Sequence, residues 1–234
     1  MDEKQLPKGI LDKINEQIEL FNQKNNIDII DSIPDTNNIP KEGNKWLKIN
    51  DVICVYTDMI GSTRLSAEQK YDSSTASAYE LFTGTIIKIF HFYDASYVEV
   101  QGDGVFALFN KNEIYRSLVS AVTVKTFVEK SFIPLYKQRS KLDLGVHIGI
   151  DKKTVLVKKI GLRQKNNRSD RRNEVWAGKP VNMAAKLASL TEKGQLMVSD
   201  RYYKELKSDY ALKSCGCENG TYTGEKKIYG NHYH

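Results

Sequence analysis

Cysteine is scarce in this chain, with three among 234 residues. That excludes a disulfide-stapled scaffold and suits a reducing cytoplasm. Cys54 lies in an apolar run and reads as a small buried hydrophobe. Cys215 and Cys217 form an isolated Cys-Gly-Cys that lacks the further ligands of a structural zinc. No apolar run approaches the roughly 18–20 residues of a membrane span, and the polar start Met-Asp-Glu-Lys-Gln is unlike a signal peptide. The expectation is therefore a cytoplasmic protein without membrane contact. There is no internal repeat, no low-complexity tract, and no Gly-Lys-Ser/Thr of a Walker A loop. What remains is ordinary: 40% hydrophobic and 27% charged residues describe a soluble globular protein. The length suits one domain with extensions, and the formal charge of +6 favours anionic ligands without naming one.

Against this background two stretches stand out, Val52-Ile-Cys-Val-Tyr-Thr-Asp58-Met-Ile-Gly-Ser-Thr63 and Val98-Glu-Val-Gln-Gly-Asp103-Gly-Val-Phe-Ala-Leu-Phe109. Each is an apolar, strand-like run interrupted by one aspartate beside small residues. A carboxylate in a core-forming strand is costly to bury unless it is paired or binds a metal. Read singly, Asp58 is a helix-start residue and Asp103 a hairpin-turn residue. Read together, they suggest a divalent cation holding a polyphosphate, since two carboxylates, phosphate oxygens and waters make the all-oxygen shell of Mg²⁺ or Mn²⁺. Gly61, Ser62 and Thr63 then lead into a helix whose first N–H groups face phosphates.

The rest of the chain falls into order around these runs. Apolar spacing predicts a helix over residues 6–25, and a polar, proline-bearing stretch to residue 50 reads as an irregular connector pinned by Trp46 and Leu47. The main domain is expected from residue 51 to 234. It comprises a strand at 51–58, a helix at 66–92, a hairpin at 96–109 turning at Gly102-Asp103-Gly104, and a helix at 113–139. A strand at 142–150 with its partner at 154–160, a helix at 180–190 and a short strand at 195–199 complete it. This β-α-ββ-α-ββ-α-β order predicts an α+β, ferredoxin-like fold with an antiparallel-containing sheet and packed helices.

Four segments in this order resemble the class III nucleotidyl cyclases: Tyr56-Thr-Asp58-Met-Ile-Gly-Ser-Thr63, Gln101-Gly-Asp103-Gly104, Leu144-Gly-Val-His147-Ile-Gly149, and Val175-Trp-Ala-Gly178-Lys-Pro-Val-Asn182-Met-Ala-Ala-Lys186. The resemblance implies cyclisation of a nucleoside triphosphate to a 3′,5′-cyclic monophosphate with loss of pyrophosphate. It implies two Mg²⁺ or Mn²⁺ ions per site, held by Asp58, Asp103 and the Met59 carbonyl, and a homodimer with active sites at its interface. It also implies that Asn182 orients the ribose and that Lys186 touches the transition-state phosphate. The family usually has arginine at that last position, so Lys186 keeps the charge but lacks the bidentate fork. Asn182 and Lys186 lie four apart and share a helix face; the bland alternative is a cap and a solvated lysine.

Base-reading positions depart from the purine cyclases. The places that read a purine hold Glu99 and Val175, and Val175 cannot make the expected hydrogen bond. Tyr56 lies two residues before Asp58 and faces the same side of its strand, where a large side chain either narrows the base pocket toward a pyrimidine or packs the core. The segment from Arg172 to Ala188, the Trp46-Leu47 connector and Cys215-Gly-Cys217 resemble the pyrimidine cyclases of bacterial Pycsar anti-phage systems. That resemblance implies synthesis of cyclic UMP or cyclic CMP from UTP or CTP on infection, activation of a separate effector, and abortive infection. The alternatives are a purine cyclase and a degenerate domain that binds nucleotide or nucleic acid without turnover. The basic run from Lys158 to Arg172 steers a triphosphate, binds nucleic acid, or is a solvated loop. It has no interleaved aromatics for stacking single strands, and no nucleic-acid partner is expected. Lys213, Lys226 and Lys227 are candidate triphosphate contacts, and His147 reads as packed in a strand.

Overall fold

A computed structural model describes residues 7–68, 72–137, 142–162 and 171–206. Cys215, Cys217, Lys213, Lys226, Lys227 and most of the basic run lie outside these residues. The chain begins with helix α1 (Lys8–Asn22) and strand β1 (Asn26–Ile30), followed by a short 3₁₀ turn at Thr36–Asn38 and the long strand β2 (Lys45–Ile60). The connector is thus not irregular, and the division expected at residue 50 falls inside β2. The reason is a register shift between Ile49 and Val52, with Asp51 at φ +58°. One extra residue resets the in–out alternation, so Leu47, Ile49, Val52 and Cys54 all bury on one face. A simple period of two does not span such a break.

After β2 come α2 (Ser62–Glu68) and α3 (Asp72–Phe92), then the hairpin β3 (Tyr97–Gln101) and β4 (Gly104–Phe109). The helix expected at 66–92 is therefore two described helices, the first starting four residues early. The next helical run is α4 (Ile114–Phe127), a π segment at Val128–Phe132 and α5 (Ile133–Lys137). Pro134, second in α5, has no N–H to donate. The widened turn before it is closed by Ile133 N–H donating to Val128 O.

One further expectation is corrected. The strand pair at 142–150 and 154–160 is a single 18-residue strand, β5 (Gly145–Leu162). Its hairpin partner is β6 (Arg171–Gly178), and helix α6 (Lys179–Ser189), the short strand β7 (Met197–Val198) and α7 (Asp200–Tyr203) follow. Asp151, in the expected gap between the two strands, is fully buried in β5 and paired with Arg201, which donates from Nε at 2.7 Å and from Nη2.

The strand path is β3-β4-β2-β5-β6, with β1 parallel beside β2 and β7 parallel beside β5. The order of β3, β4, β2 and β5 is that of a ferredoxin-like βαββαβ unit. One sheet face packs on α3, α4 and the π segment, where Phe82, Ile86, Phe90, Val124 and Phe132 meet Ile53, Val55, Val105, Ala107 and Ile148. Each such buried Val, Ile or Phe side chain contributes roughly 1.5–3 kcal/mol of transfer free energy. The other face holds Cys54, Phe106, Leu108, Val155, Val157 and Trp176 beneath α6 and the connector residues Ile33 and Ile39. The sheet curls around this second face, so that Tyr97 on β3 and Trp176 on β6 meet with ring centroids 4.7 Å apart.

Candidate active site

The register lays the site residues out in rows on the curled face. Asp58 stands opposite His147, and Tyr56 opposite Gly149 on one side and Phe106 on the other. Phe106 in turn pairs with Glu99. The β4 ladder stops at Thr57, whereas the β5 ladder continues to Ile60. The end of β2 thus turns an unladdered edge toward the β3–β4 turn. Asp103 is the second of two turn residues between Gln101 and Gly104, and the positive φ of +66° falls on Gly102, the first. This is the type II′ pattern, so of the expected Gly102-Asp103-Gly104 turn the two central residues are Gly102 and Asp103, and Gly104 opens β4.

That turn brings the two carboxylates together. Burial pushes the Asp58 carboxyl above its usual range, the Asp103 carboxylate pushes it further, and His147 opposes more weakly. Tyr56 is raised by burial and by the same two aspartates, so its hydroxyl keeps its proton. A Cβ built on Gly104 would lie 2.7 Å from Tyr56 Oη and 3.3 Å from Asp58 Oδ1. Glycine is what leaves this cradle open. Two half-buried carboxylates that converge, with no Lys or Arg of the described residues paired to either, form a hard-oxygen donor set, and a divalent cation fits that charge. Among the described residues no three of His, Cys, Asp and Glu cluster as ligands, so further donors would be main-chain or substrate oxygens.

Met59 is buried in β2 in register with Val146. Gly61, at φ +88°, turns the chain into the seven-residue α2, whose first residues are Ser62 and Thr63. So short a helix offers individual N–H groups more than a macrodipole. Glu99 is half-buried and accepts hydrogen bonds from Tyr97 Oη at 2.9 Å and Gln101 Nε2 at 3.3 Å. His147 is packed as expected: its Nδ1 is 3.1 Å from Thr191 Oγ1, which itself donates to Ala188 O. Thr191 therefore accepts, and Nδ1 carries the proton.

The structure does not bring Val175, Asn182 and Lys186 to the carboxylate pair. Val175 pairs with Lys158 and has opposite parity to Trp176, so it faces away from the side that holds Tyr56. Helix α6 buries Pro180, Ala184 and Ala188, and Asn182 and Lys186 are exposed on its outer side. The helix sits so close that a Cβ on Gly149 would be 2.0 Å from Ala184 O. Part of the basic run is structural: Lys159 pairs with Glu174 at 3.2 Å, and Lys158 donates to Gly43 O and lies over Trp46. Sequence reading passes over Tyr97 and Trp176. The alternation of Tyr97, Glu99 and Gln101 hints at a shared face, but nothing local signals that Trp176 reaches them.

The family profile of the adenylate and guanylate cyclase catalytic domain matches residues 46–229. The chain belongs to this cyclase family. The cyclase domain is 34% identical over 189 residues to a uridylate cyclase of Micromonospora echinofusca, covering 79% of this chain and 60% of the relative. It is also 34% identical over 179 residues to a uridylate cyclase of Propioniciclava tarda, covering 75% of this chain and 57% of that one. The chain thus spans somewhat under two thirds of the length of each. In fold it is similar to the adenylyl cyclase CyaB of P. aeruginosa, with a TM-score of 0.60 at 18% identity over 72% of this chain and 83% of the other. Class III cyclases use divalent metal ions. Among the described residues of this chain, no helix is long and apolar enough to cross a membrane.

Proposed function

We propose that this cyclase domain converts UTP, or CTP, to the 3′,5′-cyclic monophosphate and pyrophosphate. The observation that carries the reading is the convergence of the Asp58 and Asp103 carboxylates at the open cradle of Gly104. In the reaction the 3′-oxygen bonds to the α-phosphorus and loses its proton to water, while the bond to the α,β-bridging oxygen breaks and pyrophosphate leaves with its electron pair. Asp58, Asp103 and the Met59 carbonyl would hold Mg²⁺ or Mn²⁺, two per site, and the ions would supply the charge that acidifies the 3′-hydroxyl and balances the triphosphate. The chain's own groups do the positioning. Main-chain N–H groups of Gly61, Ser62 and Thr63 meet phosphate oxygens, Asn182 orients the ribose, and Lys186 places a point charge at the α-phosphate. Glu99 accepts from the base and Tyr56 narrows the pocket beside the carboxylates, while Val175 faces the other side of β6 and gives a purine no hydrogen bond.

Asn182 and Lys186 are exposed on the outer side of α6, so the reading places them against the carboxylates of a second copy, in a homodimer with two composite sites. Resemblance to the Pycsar pyrimidine cyclases supports a further role: the cyclic nucleotide is a second messenger of cytoplasmic anti-phage defence, acting on a separate effector and ending in abortive infection. A second reading, nucleotide binding without turnover, is favoured by Lys186 standing where the family has arginine. Incubating the purified protein with UTP, CTP, ATP or GTP and Mn²⁺ decides between them. Cyclic UMP or cyclic CMP is expected as the main product. Cyclic AMP or cyclic GMP in its place would overturn the pyrimidine assignment, and retained nucleotide binding with no product would establish the second reading.

A further inference from the structure

Tyr97, Glu99 and Gln101 occupy alternate positions of β3 and therefore share one face. Both neighbours donate to the same carboxylate: the Tyr97 hydroxyl to Glu99 Oε2 at 2.9 Å and the Gln101 amide to Glu99 Oε1 at 3.3 Å. The Tyr97 ring is in turn clamped. Trp176, from the opposite end of the strand path, lies 4.7 Å away at an interplanar angle of 50°, and Phe106 lies 6.0 Å away. Trp176 is more than nine-tenths buried, and its Nε1–H has no hydrogen-bond partner among the described residues. Burial pushes the Tyr97 hydroxyl well above its usual range, and the nearby Trp176 N–H opposes this only in part, so the phenol keeps its proton. An N–H on that side gives the hydroxyl proton nothing to point at. Its proton is therefore directed to Glu99, and the phenol acts as a fixed donor.

We infer that Tyr97, braced by Trp176, is a positioning residue for base selection. It holds the Glu99 carboxylate as a fixed acceptor for an N–H of the pyrimidine edge, N3–H of uracil or the N4 amine of cytosine. Base choice then depends on closure of the sheet, because the brace and the reader come from its two ends. This rests on the reading of Glu99 as a base contact, and the experiment separates the two.

The full chain and its variants Glu99→Gln, Tyr97→Phe, Trp176→Phe and Gln101→Ala are assayed with all four triphosphates and Mn²⁺. Tyr97→Phe keeps the ring against Trp176 and removes one hydrogen bond to a charged group. KM for the preferred triphosphate should rise about tenfold and kcat should fall less than threefold, with preference over the other pyrimidine narrowed. Gln101→Ala, at an exposed position, should move KM the same way by less, and Trp176→Phe should behave as Tyr97→Phe. If Glu99→Gln shifts KM and base preference while Tyr97→Phe and Trp176→Phe shift neither, the positioning role is overturned. If Glu99→Gln itself shifts neither, Glu99 is not the reader and the inference falls with it. A kcat loss in Tyr97→Phe with KM and base preference intact would show a structural role and also overturn it.

Discussion

Gly104 carries more of the site than its place in a hairpin turn suggests. Its missing side chain leaves room for Tyr56 Oη and Asp58 Oδ1, both within 3.3 Å of where a Cβ would stand. Gly104→Ala should push the tyrosine and the carboxylate apart. Turnover is expected to fall about a hundredfold, since displacements of this size at reacting groups cost about that much. The folded state should persist, because the atoms struck are the ends of side chains. Steady-state cyclic nucleotide production beside a thermal melt checks this, and adding Tyr56→Phe, which removes the nearest atom, should return part of the lost rate. Full activity in Gly104→Ala would detach the carboxylate geometry from the chemistry.

At the scale of elements, α6 lies on β5 through Gly149, where an added Cβ would sit 2.0 Å from Ala184 O and 2.5 Å from Ala188 N. These are main-chain atoms of a helix and cannot swing aside. Gly149→Ala should therefore lift α6 and cost about 2–4 kcal/mol of stability, read as a lower urea midpoint at constant m-value. Because α6 carries Asn182 and Lys186, activity measured well below the midpoint should fall as well. A second link ties the connector to this region: Glu174 accepts from Thr36 Oγ1 at 2.8 Å and pairs with Lys159, while Lys159 N–H donates to Pro40 O at 2.9 Å.

For the whole molecule, the separation of the aspartates from the outer side of α6 has a consequence in solution. If each site takes its aspartates from one copy and its Asn182 and Lys186 from another, Asp58→Ala and Lys186→Ala are each inactive alone. Mixed and allowed to exchange, they should form heterodimers with one intact and one doubly damaged site. Random pairing then restores about one quarter of the wild-type specific activity. Recovery is read as cyclic product after co-incubation against each variant alone, and no recovery under exchange would place both halves of the site in one chain.

Local chemistry in the sequence determined a good deal by itself. An aspartate that interrupts an apolar run is costly to bury whatever the fold, so Asp58 and Asp103 announce themselves. The hairpin and α6 follow from alternation and 3.6-residue spacing, which need no distant partner. Only the tertiary structure decided the rest. The bulge at Asn50-Asp51 hid the start of β2, because a reset parity looks like lost pattern. The break expected between residues 150 and 154 is absent because Asp151 stays in β5, buried against Arg201, 50 residues on. The meeting of Tyr97 with Trp176 depends on sheet curl, a sum of small twists over five strands that no window of sequence contains.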